Sequence, residues 1–360
     1  MKYYIVTGEN SGDLHAANLV NELKKIDNNP VVRAWGGERL ISEGVSIAKN
    51  IDTTNFMGIW SVLKNFRTII ANIDFCKRDV LSFKPDALIL VDYAGFNLRI
   101  AQFAKKNGLK VFFYISPKVW AWNRSRISKI KKYVDHLLVI FPFEVDFFQK
   151  FGVEVIYIGN PLLDEIEKKD HSFSFKSSKP IIALLPGSRK QEIEVMLPKM
   201  LDVVESFPSY QFIIAATNTF TKEYYESFIN KKNVELVFNE TYGLLSNAEA
   251  ALVTSGTATL ETALFKVPQV VCYKTSWVTY LIAKNLIQIE YLSLVNILLN
   301  KEAVKELIQT EFNKENLKKE LKQLIIEREK MLIDYNKLSR LLNKRDASKN
   351  AANFIIDTIS

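Results

Sequence analysis

MKYYIVTGENSGDLHAANLVNELKK, residues 1–25, carries the pattern that decides the fold. A β-branched and aromatic run over 3–7 stops at Gly8, Gly12 follows, and residues 13–25 repeat their apolar positions at helical spacing. This is a strand, a tight turn and a helix in immediate succession. Gly8 and Gly12 let the backbone turn, and the free amides of a helix start suit a phosphate or carboxylate. The spacing is G-x-x-x-G, not the dinucleotide fingerprint G-x-G-x-x-G, and a helix cap made by Ser11 or Asp13 explains it equally.

The same alternation recurs outward from this unit. Apolar runs at 87–91, 110–115, 136–140 and 155–158 are separated by amphipathic stretches at 98–106 and 143–150. Strands spaced by helices predict right-handed crossovers and a parallel sheet. Residues 165–179, EIEKKDHSFSFKSSK, are polar and read as a linker. Alternation then restarts at 181–185, 192–206, 212–216, 223–229, 234–238, 250–254, 258–265 and 269–273. The fold class is therefore α/β, with two Rossmann-like lobes. A stretch rich in Lys and Glu follows residue 301, with Leu317, Leu321, Leu324 and Ile325 at helical spacing, and reads as a packed helix with a solvated face. The expected division is 1–165, 166–345 and a final helix, 346–360, packing back on the first lobe.

A length of 360 residues fits two such lobes. Cys76 and Cys272, far apart in apolar surroundings, suggest neither a disulfide framework nor a thiolate metal cage, which favours a cytoplasmic setting. No signal-peptide pattern opens the sequence, and no uncharged apolar run is long enough to span a bilayer, so any membrane contact is expected to be peripheral. The net charge of +8 favours an anionic partner. No nucleic-acid-binding motif accompanies it.

Two segments of the second lobe are shaped for a diphosphate. In LLPGSRKQEIE (184–194), Pro186 and Gly187 end a strand and Arg189 opens a helix, so the Gly187 and Ser188 amides, the helix dipole and a guanidinium act on one charge. A turn with a solvated arginine is the plainer explanation. In VTSGTATLETALFKVPQV (253–270), Ser255, Gly256 and Thr257 form a second strand-to-helix junction, and Glu261 is placed to accept from a ribose diol or merely to complement the helix dipole. Two such junctions in one lobe favour a nucleotide diphosphate.

Three segments of the first lobe carry chemistry. ALILVDYAGFN (87–97) presents Asp92 at the carboxyl end of a strand, a position for a general base or for a capping aspartate. YISPKVWAWNRSRISKIKK (114–132) combines Ser116, Trp120 and Trp122 with Lys118, Arg124, Arg126, Lys129, Lys131 and Lys132. Its indoles suit a sugar or acyl group and its cations a phosphate, while a core tryptophan pair beside a solvated basic helix explains it too. NFMGIWSVLKNFRTII (55–70) puts Ile59, Leu63, Phe66 and Ile70 on one helical face beside Trp60, suiting a membrane interface or an ordinary core-facing helix.

Taken in order, GENSGD (8–13), MGIWSVL (57–63), VDYAGFN (91–97), the tryptophan segment, LLPGSRKQEIE, SGTATLE (255–261) and YLSLVNILL (291–299) resemble the motif series of bacterial lipid-A-disaccharide synthases. The resemblance spans roughly residues 3–310. It implies the GT-B glycosyltransferase fold, with acceptor handled mainly by the first lobe and UDP mainly by the second. It further implies joining UDP-2,3-diacylglucosamine to 2,3-diacylglucosamine 1-phosphate through a β-1,6 linkage, at the cytoplasmic surface of the inner membrane. Asp92 matches the family's proposed base. Arg189 is expected to assist the departing UDP, and Gly187, Ser188, Ser255, Gly256, Thr257, Glu261 and Asn296 to hold the donor. Glu9, Ser11, Gly12, Asp13, Asn97, Ser116, Trp120 and Trp122 are expected on the acceptor side, with Met57, Ile59, Trp60 and Leu63 facing the membrane.

The chain departs from the family pattern in places. Gly95 stands where a second carboxylate is common, Asn160 where a histidine is usual, and Ala16 where glycine is frequent. Converting an α-linked UDP-sugar into a β-linked disaccharide calls for one displacement with one base. With no D-x-D motif, neither a metal nor a cofactor is expected. A nucleotide-sugar 2-epimerase shares this fold but has no evident use for the tryptophan segment or an apolar surface helix. A non-catalytic sugar-binding protein and a dehydrogenase lack, respectively, their usual export signal and dinucleotide fingerprint.

Overall fold

The structure is a computed structural model and describes residues 1–51, 66–169, 171–286 and 290–360. It contains two compact units, Met1–Asp164 with Lys344–Ser360, and Glu165–Asn343.

In the first unit, β1 (Lys2–Val6), β2 (Val31–Gly36), β3 (Ser46–Asn50), β4 (Ala87–Val91), β5 (Val111–Tyr114), β6 (His136–Val139) and β7 (Val155–Tyr157) form one sheet. Its order is β3-β2-β1-β4-β5-β6-β7, and every pair is parallel. Between the strands run α1 (Asn10–Ile26), α2 (Glu38–Ser42), α3 (Phe66–Phe83), α4 (Ala94–Lys106), α5 (Arg126–Tyr133) and α6 (Pro142–Gln149); α7 (Pro161–Lys168) follows β7 and carries the chain from the first unit into the second. The central strands read YYIV, ALILV and VFFY without polar alternation because helices cover both faces. Tyr3 and Ile5 enter one core layer, Tyr4 and Val6 the other, as the period of two requires. Arg33 on β2 grips Asp79 of α3 through Nε and Nη2, both at 2.8 Å, and the Tyr4 hydroxyl donates to the same carboxylate at 2.6 Å.

The second unit has a parallel sheet of β8 (Ile181–Leu185), β9 (Gln211–Ala216), β10 (Val234–Phe238), β11 (Ala248–Thr254), β12 (Gln269–Tyr273) and β13 (Lys305–Ile308), in the order β10-β9-β8-β11-β12-β13. Its helices are α8 (Lys190–Leu201), α9 (Lys222–Glu226), α10 (Thr241–Asn247), α11 (Thr257–Leu264), α12 (Trp277–Leu286), α13 (Leu294–Leu299), α14 (Lys314–Ile326) and α15 (Arg328–Leu341). The last helix, α16 (Ala347–Ile359), belongs to the first unit, where Ala351, Ala352 and Ile355 join the core layer of Tyr3 and Ile5.

Both sheets reverse direction of growth once, between β1 and β4 and between β8 and β11. Such a reversal parts the connecting loops and opens a crevice at the carboxyl ends of the two strands, where ligands of open α/β sheets bind. Gly8 and the start of α1, with Gly12, follow β1 and Asp92 follows β4; Gly187–Arg189 follows β8 and Ser255–Thr257 follows β11.

Several elements differ from the sequence reading. The strands β2, β3 and β13 lie in stretches not read as strands; β3 and β13 are short edge strands of mixed residues, and only Leu307 among them is buried. The supposed linker is largely committed structure. α7 runs to Lys168, Phe173 and Phe175 pack on the second core, and the Ser174 amide donates to Glu240 at 2.8 Å. Met57, Ile59, Trp60 and Leu63 lie outside the described residues; Ile70, from the same apolar face, is 44% exposed on α3. Among the described residues no helix is long and apolar enough to cross a membrane.

Candidate active site

At the first reversal, the backbone of Asp92 and Tyr93 takes left-handed conformations, φ 44° and 47°, and Ile115 at the end of neighbouring β5 has φ 65°. Left-handed backbone is costly for such side chains, above all for β-branched isoleucine, and persists where surrounding contacts impose it. The Asn97 amide is one such contact, donating to the carbonyls of Val6 at 3.3 Å, Val91 at 3.2 Å and Asp92 at 2.8 Å. It thereby stitches β1 to β4.

The left-handed turn throws the Tyr93 ring back across Gly8. A Cβ on Gly8 would stand 2.2 Å from Tyr93 Cγ, so this glycine is required by close approach. Burial raises the Tyr93 hydroxyl pKa, and the Glu9 carboxylate raises it further. Because Tyr93 is also stacked on Phe96 at 5.4 Å, it has little room to retreat. Gly8→Ala is therefore expected to destabilise the fold by about 1–3 kcal/mol and to lower activity by displacing Asp92; a melting temperature and turnover equal to the parent's would contradict this.

Asp92 is half-buried. Burial raises its carboxyl pKa above the ordinary aspartate value, while the Lys118 ammonium and the Tyr93 backbone N–H oppose the rise. A carboxylate whose pKa is raised in this way is more basic than a solvated one, which suits proton abstraction.

The remaining first-lobe candidates separate into exposed and committed side chains. Ser11 is exposed and Glu9 half-buried, whereas Gly12 is packed behind Thr7. Asp13 corrects the expectation of a ligand or a cap on its own helix: its carboxylate accepts from Gly37 N at 2.6 Å and Arg39 N at 3.0 Å and so caps α2. Ser116 and Trp120 are buried, and both donate to Glu144. Trp122 is 44% exposed, with the Arg126 guanidinium 4.7 Å from its ring centroid. The indoles are thus not a pair: one is framework and one is available. Asn160 Oδ1 accepts from Leu162 N at 3.0 Å, so it caps the chain entering α7.

At the second reversal, Gly187 has φ 102°, and a Cβ there would lie 2.4 Å from Glu192 Oε2. Glu192 accepts from Ser188 N at 3.2 Å, Arg189 N at 3.3 Å and Arg189 Nη1 at 3.2 Å. The amides and guanidinium read as an anion cradle do hold a carboxylate, supplied by the chain itself three residues into the helix. Sequence reading missed Glu192, although a glutamate three residues beyond a helix cap is its usual signature. Tyr273 also enters this cluster: its pKa is raised by burial and then by Glu192, with Arg189 opposing.

Across the reversal, Gly256 faces open space, and the Ser255 hydroxyl donates to Leu292 O at 3.3 Å. One turn on, Glu261 accepts from the Tyr242 hydroxyl at 3.0 Å. Burial raises its carboxyl, with Tyr242 and Lys169 opposing and Glu165 adding to the rise. Asn296 is the second correction. Fully buried, it spends Nδ2 on Val304 O and Glu306 Oε1, both at 2.8 Å, and Oδ1 on Ala303 N at 2.8 Å and Val304 N at 2.9 Å. With its hydrogen-bonding capacity used, it fastens α13 to the approach of β13 and has none left for a donor sugar.

Solved structures share this architecture. A glycotransferase of kitacinnamycin superposes with a TM-score of 0.70 at 12% identity, covering 100% of this chain and 99% of that one. The UDP-GlcNAc 2-epimerase of Neisseria meningitidis, solved with UDP-GlcNAc, gives 0.63 at 14%, covering 100% and 99%. The class is thus the two-lobed GT-B fold, and at such low identity these neighbours establish the fold alone. The sequence comparisons go further. A family model described as lipid-A-disaccharide synthetase matches residues 3–357. The lipid-A-disaccharide synthase of Syntrophus aciditrophicus is 38% identical over 94% of this chain and 92% of its own length, and that of Coxiella burnetii 35% over 99% and 98%. The chain belongs to the lipid-A-disaccharide synthase family and is a glycosyltransferase of lipid A synthesis.

Proposed function

We propose that this enzyme transfers the 2,3-diacylglucosamine unit of its UDP-sugar to the 6-hydroxyl of 2,3-diacylglucosamine 1-phosphate, with inversion and release of UDP. The observation that carries the reading is Asp92, a half-buried carboxylate of raised pKa on a strained turn at the first sheet's reversal. Asp92 takes the proton of the 6-hydroxyl as its oxygen bonds to the anomeric carbon. The bond from that carbon to the diphosphate breaks on the opposite face, and its electron pair leaves with UDP.

The departing charge is met in the second lobe by Arg189 and the amides around Gly187, Ser188, Gly256 and Thr257. Glu192 accepts from part of that cradle, so a bound diphosphate would replace one anion by another. Glu261, whose carboxylate oxygens can accept hydrogen bonds, is assigned to the ribose diol. The acceptor side is assigned to Glu9, Ser11 and Trp122, with Ser116 and Trp120 as its framework. The decisive experiment supplies the UDP-diacylglucosamine donor with and without the acylated sugar phosphate. Acceptor-dependent UDP release with disaccharide formation is expected; release independent of acceptor with no disaccharide rejects the reading.

The segment 57–63, with its Trp, Ile, Leu and Met beside Lys64 and Arg67, supports peripheral attachment to the cytoplasmic face of the inner membrane. Replacing Ile59, Trp60 and Leu63 together by serine is expected to weaken sedimentation with anionic vesicles while the melting temperature holds. Collapse of the fold would instead assign these residues to the core.

A further inference from the structure

We infer that Glu144 is a positioning residue, whose carboxylate holds the loop after β5 and with it the Lys118 charge that acts on Asp92; the inference rests on the reading of Asp92 as the base. Glu144 is 1% exposed and lies in the first turn of α6. Its Oε2 accepts from Ile140 N at 3.1 Å and Phe141 N at 3.0 Å, as a glutamate folding back on its own helix start does. Capping explains that oxygen and leaves the other over. Oε1 reaches a different loop, accepting from Ser116 Oγ and from Trp120 Nε1 at 3.2 Å.

The two tethered residues flank Lys118, two positions to either side. The loop needs such a tether because it leaves β5 through Ile115, a β-branched residue held at φ 65°. Asp92 N donates to Tyr114 O at 3.4 Å, so the loop that leaves β5 starts alongside Asp92, and its exposed Lys118 is the cation that opposes the rise of the Asp92 pKa. The groups acting on Asp92 are Lys118 from this loop and the Tyr93 N–H from its own turn, with Glu9 acting on Tyr93 from the loop after β1. Glu144 therefore reaches the base through one lysine. Burial pushes the Glu144 carboxyl up to about 7, although Ser116, Phe141, Ile140 and Trp120 all donate to it and favour its ionised form. Protonation places a donor among donors, so the clamp is complete only in the anion.

The test reads Asp92 itself. In protein labelled at the aspartate carboxyl carbon, the Asp92 resonance is assigned by its loss in Asp92→Asn and titrated in four forms: parent, Lys118→Met, Glu144→Gln and the double variant. Lys118→Met is expected to raise the midpoint, Glu144→Gln to raise it by a comparable amount, and the double variant to raise it no further, since both remove the same cation from Asp92. A Glu144→Gln midpoint equal to the parent's, or full additivity in the double variant, overturns the proposal. If Glu144→Gln does not fold, Trp120→Phe removes one donor of the clamp. Its midpoint is expected to rise in the same direction, and an unmoved midpoint overturns the proposal too. Failure of the base assignment is read separately, as undiminished transfer by Asp92→Asn, and leaves the titrations informative about the clamp.

Discussion

Asp92→Asn is expected to keep UDP binding and lower kcat by about two to four orders of magnitude, the scale of a lost general base. Asparagine preserves the shape of the side chain, and the left-handed backbone at this position tolerates it better than most residues. The loss therefore reports proton transfer and not a collapsed turn. The pH dependence supplies a second readout. Because the Asp92 pKa is raised, the ionised base is lost as pH falls through a value above the ordinary aspartate range, and parent kcat/KM should decline there. The residual rate of Asp92→Asn should not share that limb. Near-parental turnover of the variant would remove Asp92 from the chemistry.

Arg189→Ala is the second large effect. In the proposed donor cradle its guanidinium is the positive charge after β8, and deleting one such stabiliser of a departing anion is expected to cost about two to three orders of magnitude in kcat. UDP itself should bind more weakly, since product and leaving group present the same diphosphate. Arg189→Lys is expected to recover part of the rate, because it keeps the charge while losing the planar fork. Stability should hardly change: the guanidinium is 61% exposed, and its pairing with Glu192 is a surface ion pair of small net worth. Parental kcat/KM and UDP affinity in Arg189→Ala would show that the backbone amides and helix dipole suffice.

Much of this was legible in the sequence because it depends on local rules. Apolar runs such as ALILV, ended by Gly or Asp and followed by helical spacing, announced the doubly wound lobes, and the turns at Gly8, Gly187 and Gly256 stood where anion sites form. Short, half-buried edge strands escaped, since SIAKN and KELI carry too little apolar pattern to tell from a loop. Polar candidates escaped for a different reason. Asp13, Asn97 and Asn296 have the side chains of ligands, and only their surroundings show that the Asp13 carboxylate and the Asn97 NH2 group bond backbone groups and that Asn296 bonds backbone groups and Glu306.

The sequence by itself determined the two α/β lobes, the family and the segments from which a site is built, because periodicity, turn chemistry and motif order are properties of neighbouring residues. Tertiary structure alone decided the order of the strands, and with it the placement of Asp92 beside the Gly8 loop and of β8, which leads to Arg189, beside β11, which leads to Gly256. It also gave Glu144 its clamp on residues 24 and 28 positions upstream. Strand order and long-range hydrogen bonds arise when separate segments bury their apolar faces together, and no local pattern records which segments will meet.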